Sequence, residues 1–488
     1  MRRLLLFVAF AGPVFGAGTG LYCVTPTGAA VDDCVAGKTF PQISTALAAL
    51  VADQGTATFG ATQTIRVYPG SYTSAGLVGY ITSSRFLAPT ATYPLIIRSA
   101  SGAQAAPGGT QPIINCGDTT STNAGWFYSP YVTVQGFEIT NCKAAFVWGS
   151  AGPRDHETIA YNYIHGTGTA TAIADNAAGT GTGTWIHHNI ITNVGSGIAS
   201  TYAAWIIEFN EISNTTAGGG IGSAGSCTIR NNIIYNVYIT NGSGVQGGND
   251  DVITGNVSYD NRYGIQSQIK TAPGPTFQQN IVVGNMWTCH YEGGTSPVFG
   301  LMQHNFCYRS TNVGVPADYG QAQRITGGTG SAAFEINNIA WPNKTAAATD
   351  RALDTSSGLT ASMSDYNVWW VTGTVGHEGM AMVNVTDYAT LAAFQVTGWD
   401  THSINVNPQL LGNPDLLAVT TQVFPECPTI ECRLAKIRRN YMPTNLALKG
   451  KGCTWSASAM TCTPDHSDIG PVPITVYNAP GITGGGVY

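Results

Sequence analysis

The sequence predicts an all-β solenoid, a chain that coils through short parallel strands and stacks each coil on the last. Three observations predict it. First, TIAYNYIHG (158–166), WIHHNIITN (185–193), WIIEFNEISN (205–214), CTIRNNIIYN (227–236), DVITGNVSYDN (251–261) and TFQQNIVVGN (276–285) rewrite one pattern. Its central residue gives the register Gly136, Asn162, Asn189, Asn210, Asn232, Asn256, Asn280, Asn305, Asn338 and Asn367. The steps of 26, 27, 21, 22, 24, 24, 25, 33 and 29 residues mark a repeat architecture. Second, each unit alternates apolar and polar residues with period two, as a strand with an inner and an outer face does. Third, no unit holds a helical stretch, which excludes leucine-rich and helical repeats. An Asn at the register position suits a sharp turn with left-handed backbone. Its side chain is also placed to hydrogen-bond up the stack.

The elements follow in order. Arg2-Arg3, then LLLFVAF and small residues, reads as a signal peptide over residues 1–16, with the mature chain starting near Ala17. A strand at Leu21 precedes TFPQISTALAAL (39–50), where Ile43, Leu47 and Leu50 share one helical face suited to plugging the open end of a core. Strands follow in TIRVYPGSYTS (64–74), YPLIIRSASGAQ (93–104) and PIINC (112–116), and coils run on from about Thr64 to Pro408.

These segments, with SINVNPQLLGNPD (403–415) and DHSDIG (465–470), resemble the pectate-lyase-like superfamily over most of Leu21–Pro473. The resemblance implies a right-handed parallel β-helix solenoid with an N-terminal capping helix, one domain over 17–415. An irregular, disulfide-bonded C-terminal tail, 416–488, is expected to pack on it. This scaffold carries lyases, hydrolases, epimerases and inert fibres, so the chemistry has to come from particular residues.

Composition narrows the classes. The chain has 488 residues, 60 Gly and only 10% charged residues, and a solenoid of that length needs no second domain. Residues 130–330 hold 7 Lys/Arg against 11 Asp/Glu, the wrong sign for a nucleic-acid footprint. The apolar run near the start is too short to span a membrane. Eleven cysteines point to an oxidising compartment, hence a secreted or cell-surface protein. Local spacing pairs Cys23 with Cys34, Cys116 with Cys142, Cys289 with Cys307, Cys427 with Cys432 and Cys453 with Cys462, leaving Cys227 as a buried thiol. No Cys-x-x-Cys with matching His spacing suggests zinc. Sequons stand at Asn214, Asn241, Asn256, Asn343 and Asn384, with Asn256 expected inside the ladder.

The strands after each Asn turn align as GIAS (197–200), GIGS (220–223), GVQG (244–247), GIQSQ (264–268), TCHYE (288–292) and GVPAD (314–318). Early coils then present Ala199 and Gly222 outward, a bare floor. Later coils present Gln246, Gln266, Gln268 and Tyr319 as sugar-binding groups, and Lys270, Arg262, His290 and Glu292 as catalytic ones. Asp250, Asp251 and Asp318 supply oxygen ligands for Ca²⁺. Coils about 4.8 Å apart put these groups within roughly 15 Å. A slip of one residue at TCHYE would turn His290 to the other face.

A second cluster joins Arg154, Asp155, His156 and Glu157 to Tyr161, His165, His187 and His188. GPRDHET loosely resembles the Asp-Pro-His-Asp signature of alginate epimerases but lacks its Pro and its order.

The reading that results is a secreted protein acting on an extracellular polysaccharide, as a lyase cleaving a uronate polymer by β-elimination. Lys270 would be the base and Ca²⁺ would neutralise the developing enolate. A glycoside hydrolase using Glu292 and Asp318 is the alternative on the same scaffold. A non-catalytic structural or carbohydrate-binding β-helix is the other.

Overall fold

The computed structural model describes residues 20–31, 34, 37–54, 58–73, 89–127, 129–148, 155–175, 182–201, 204–237, 242–268, 274–285, 287–293, 299–309, 321–326, 331–342, 351–355, 359–370, 380–383, 386–412, 426–449, 451–456, 461–464 and 469. It is the right-handed parallel β-helix expected from the repeat. Among the described residues three sheets of 14, 12 and 12 strands run along the stack, their strands pairing in parallel from coil to coil except the last, Thr386–Tyr388, which is antiparallel to Ala381–Val383. We name them A, B and C in the order the chain visits them. One coil shows the plan: Ala204–Glu208 in sheet A, Glu211–Thr215 in sheet B and Ile221–Ser223 in sheet C.

Inward positions are apolar and in register. Ile159, Ile186, Ile207, Ile229 and Ile253 stack along sheet A, and Ile164, Ile191, Ile212 and Ile234 along sheet B, all buried. Each such side chain contributes roughly 2 kcal/mol of burial.

The turn from A to B carries the ladder. Asn210 donates its backbone N–H and its Nδ2 to Asn232 Oδ1 at 2.9 and 3.0 Å, and Nδ2 also reaches the Ile186 carbonyl at 2.9 Å. The same pattern links Asn162 through Asn305. Asn338 continues it to Asn367, where Ser403 and Asp400 close the end. At the other end Phe137 holds the ladder position, not Gly136, so the sequence register slips there by one residue.

The left-handed backbone lies elsewhere than expected. The residue before each ladder Asn takes positive φ: Tyr161 (59°), His188 (54°), Phe209 (52°) and Asn231 (58°). The ladder bonds hold these side chains in a conformation their Cβ disfavours. A second left-handed column near the end of each B strand does use Asn, at Asn141, Asn193, Asn214 and Asn236.

Both ends are closed. Helix α1 (Ile43–Gln54) buries Ile43, Leu47 and Leu50 against the first coils. At the far end α2 (Leu391–Gln395) packs Leu391 and Phe394 into the core. The five expected disulfides form, and Cys227 is buried and unbridged.

The tail is more regular than expected. Helix α3 (Ile430–Asn440) starts at a Thr429 cap and lays Ile430, Leu434 and Ile437 over the outer face of sheet B. That face is apolar there, with Ile233, Val257, Ile281 and Phe306 under the helix. B strands buried on both faces lose strict alternation, which explains runs such as Ile281-Val282-Val283. A hairpin of Cys453–Ser456 and Thr461–Pro464 covers sheet A near Phe334 and Ile336. No helix among the described residues is long and apolar enough to cross a membrane.

Candidate functional site

The outer face of sheet C follows the expected alignment only in part. Ala199 pairs with Gly222, Gly222 with Gln246, and Gln246 with Gln266. The next residue in that outward row is Tyr291, not His290. His290 follows Ile265 on the inward row and is 0% exposed, with neither ring nitrogen bonded. Burial pushes its pKa down to about 3, so it sits in the core as a neutral ring and not as a surface catalyst. The slip of one residue at TCHYE is the cause.

Other expected site residues also take structural roles. Gln266 is 2% exposed and accepts from Ser243 Oγ. Asp251 is buried with both oxygens engaged, Oδ1 by Cys227 N–H at 2.7 Å and Ser223 Oγ at 3.1 Å, and Oδ2 by Gly248 N–H at 2.6 Å. Burial raises its pKa, and it fastens a corner, so it is no open ligand for Ca²⁺. Asp250 beside it is exposed in a left-handed turn (φ 59°). Arg262 lies over the Trp287 ring at 3.8 Å. Lys270, Asp318 and Tyr319 lie outside the described residues, as do the side chains of Gln268 and Glu292. Among the described residues no group of three or more His, Cys, Asp or Glu is placed to hold a metal.

The second cluster divides between faces. Arg154 lies outside the described residues. His156 stacks on Tyr131 at the turn into sheet A (4.9 Å between ring centres), and His165 pairs with Glu138 on sheet B at 3.0 Å. Glu157 is fully buried, accepts from Thr184 Oγ1 at 2.6 Å, and is pushed up to about 7 by that burial.

His187 and His188 belong to a richer neighbourhood on sheet A. Two outward rows cross this face. One runs Thr158, Trp185, Ile206, Thr228, Val252 and Thr276. The other runs Arg66, Arg98, Gln135, Ala160, His187, Glu208, Arg230, Thr254 and Gln278. Trp185 is 40% exposed. Its Nε1–H donates to Glu208 Oε1 at 2.8 Å, and Arg230 Nε holds the other carboxylate oxygen at 2.5 Å. The His187 ring lies 3.9 Å from the Trp185 ring, centre to centre.

A polar chain runs through the two histidines. His187 Nδ1 and His188 Nδ1 are 2.7 Å apart, and His188 Nε2 meets Glu431 Oε1 of α3 at 2.5 Å. Tyr161, His188 and Phe209, the left-handed corner residues of three coils, stack in a column at 4.9 and 5.2 Å. Burial, then the neighbouring His188, pushes His187 down to about 3, against a smaller upward pull from Glu431. Hydrogen bonding to His188 holds Glu431 below the usual carboxylate range. Trp185, Glu208, Arg230 and Glu431 were not singled out in the sequence. The Trp185-x-His187 pair on one strand face was its one readable signal.

No family model matches the chain, and no curated protein matches it. Among solved structures it is similar to the A-module of the Azotobacter vinelandii mannuronan C-5 epimerase AlgE6, at 14% identity over 75% of this chain and 95% of that one, with a TM-score of 0.46. It is similar to the Dettilon tailspike protein at 13% identity over 71% and 69%, TM-score 0.45. Pectate lyase Pel9A matches at 12% identity over 92% and 95%, TM-score 0.38. None of these likenesses lends this chain an activity.

Proposed function

We propose that this is a secreted, polysaccharide-active β-helix that holds an extended glycan along the stack on the outer face of sheet A. The observation that carries it is Trp185, an indole left exposed in the middle of a polar face and gripped edge-on by Glu208. A fixed aromatic face offers an apolar platform with a polar edge, which suits a sugar ring. The rows of Thr, Gln and Arg beside it repeat about every 4.8 Å, so they can serve successive units of a long polymer. Arg66, Arg98 and Arg230 on one row favour an anionic glycan. The five disulfides suit an oxidising, extracellular setting.

Within that class β-elimination from a uronate polymer is the chemistry proposed, with hydrolysis by Glu292 and Asp318 as the alternative. Asp250, which is exposed, and Asp318 are the proposed Ca²⁺ ligands. The test is titration calorimetry against polyuronates and neutral glycans, with and without chelator, scoring unsaturated products and reducing ends separately. Trp185→Ala should weaken the binding glycan by roughly tenfold. A parent protein that binds no glycan of the panel would sink the proposal.

A further inference from the structure

The Glu431–His188–His187 chain fixes where protons sit. Glu431 is a carboxylate, so His188 Nε2 carries the hydrogen between them. In a neutral His188 the other nitrogen, Nδ1, is then an acceptor. The Nδ1–Nδ1 contact needs one hydrogen, and it belongs to His187. His187 Nε2 is left with a lone pair, on a residue 6% exposed whose ring packs 3.9 Å from the Trp185 indole.

His187 alone is a poor place for a positive charge, because it is buried and next to another imidazole. The pair behaves differently. When His187 Nε2 gains a proton, the shared hydrogen can pass to His188, and the charge then rests against Glu431. Proton affinity at Nε2 is therefore a property of the pair.

We propose that His187 Nε2 is the proton acceptor for the C5–H of a uronate unit bound beside Trp185, with the charge passed through the shared Nδ1 hydrogen to His188 and held there by Glu431. This rests on the polysaccharide reading above and moves the base from Lys270 to sheet A. The C5–H bond breaks and its proton goes to Nε2. The electron pair forms the C4–C5 double bond, the C4–O4 bond breaks, and O4 takes a proton from water. Arg230, its Nε on Glu208 and its side chain 43% exposed, lies two coils on and supplies a cation for the uronate carboxylate. His187 is the catalytic residue; His188 and Glu431 are positioning residues. Among the described residues the charged and titratable groups facing the pair are Glu431 from α3, Tyr161 from the preceding corner, and Glu208 and Arg230 from the following strands.

The experiment incubates the parent with polyuronates in D₂O and follows C5 deuterium and unsaturated ends by NMR. His187→Gln should keep glycan affinity within about twofold and lose turnover by at least ~100-fold. Glu431→Gln should leave KM unchanged and move the acid limb of kcat/KM to lower pH, because charge on His188 loses its counter-ion. Lys436→Ala, which removes an exposed pair with Glu426 on the same helix, should leave that limb in place. A His187→Gln protein with parental turnover overturns the relay and leaves the polysaccharide reading standing. So does a parent that binds polyuronate but gives neither unsaturated ends nor C5 exchange. A parent that binds no glycan overturns the reading beneath it.

Discussion

The guanidinium of Arg433 meets the carboxylate of Glu211 in a side-chain pair that joins α3 to a coil 222 residues earlier. Both groups are largely covered, and Tyr235 adds a hydroxyl to the same carboxylate at 2.9 Å. Arg433→Ala leaves a buried carboxylate half-compensated and should cost roughly 3 kcal/mol. Arg433→Ala with Glu211→Gln should recover most of it. Denaturant unfolding of the three proteins checks this, and equal stability of the single mutant and parent would show that the pair is not holding the tail.

The ladder should fail from its middle. Asn232→Ala removes the acceptor of the Asn210 N–H and side chain and the donor to the Ile207 carbonyl, all buried. The loss should be roughly 3 kcal/mol, as for several buried groups left unpaired. Phe137 stands at the first ladder position with an apolar side chain, so Phe137→Leu should cost less, about 1 kcal/mol. Melting temperatures in the reverse order would refute the ladder as the main fastening.

Glu157 predicts a pH effect of definite sign. Burial raises its folded pKa from 4.5 to about 7. Between those values the folded state binds the extra proton, so this contribution to stability is fully present below the unfolded pKa and lost as pH rises through the folded one. Glu157→Gln should therefore be more stable than the parent at pH ~8, by up to about 3 kcal/mol, with the gap closing toward pH ~4.5. A gap that widens on acidification would reverse the assignment.

Sequon occupancy should follow burial. Asn256 sits inside the ladder at 1% exposure, while Asn214 is exposed at a corner. In a glycosylating host, peptide mapping of the folded protein should find Asn256 unmodified and Asn214 available. A glycan on Asn256 in folded protein is incompatible with the ladder.

Much of the fold could be read because the repeat is local. Asn162 to Asn367 sit at comparable points of successive coils, and Ile43, Leu47 and Leu50 needed only helical spacing to mark a cap. The cystine pairs lie within 26 residues of each other, so they too were local. What escaped was decided by a single step or by distance along the chain. One residue at Thr288–Gly293 separates an outward His290 from the buried one. Left-handed Tyr161, His188 and Phe209 are held by their neighbours' ladder bonds, against their own preferences. Glu431 reaches His188 across 243 residues, and no local pattern announces that meeting.

Helix α3 also acts as a gauge. It touches His188 through Glu431, Glu211 through Arg433, and Asn231 and Gly255 through Arg438, each on a different coil. Seven residues of helix advance about 10 Å, measured off against coil steps of about 4.8 Å. A coil inserted or deleted between His188 and Gly255 would throw the two scales out of phase and strand at least one charged side chain. Solenoids usually lengthen and shorten freely, but here that freedom ends where the helix lies, and any change in coil number has to fall on either side of it.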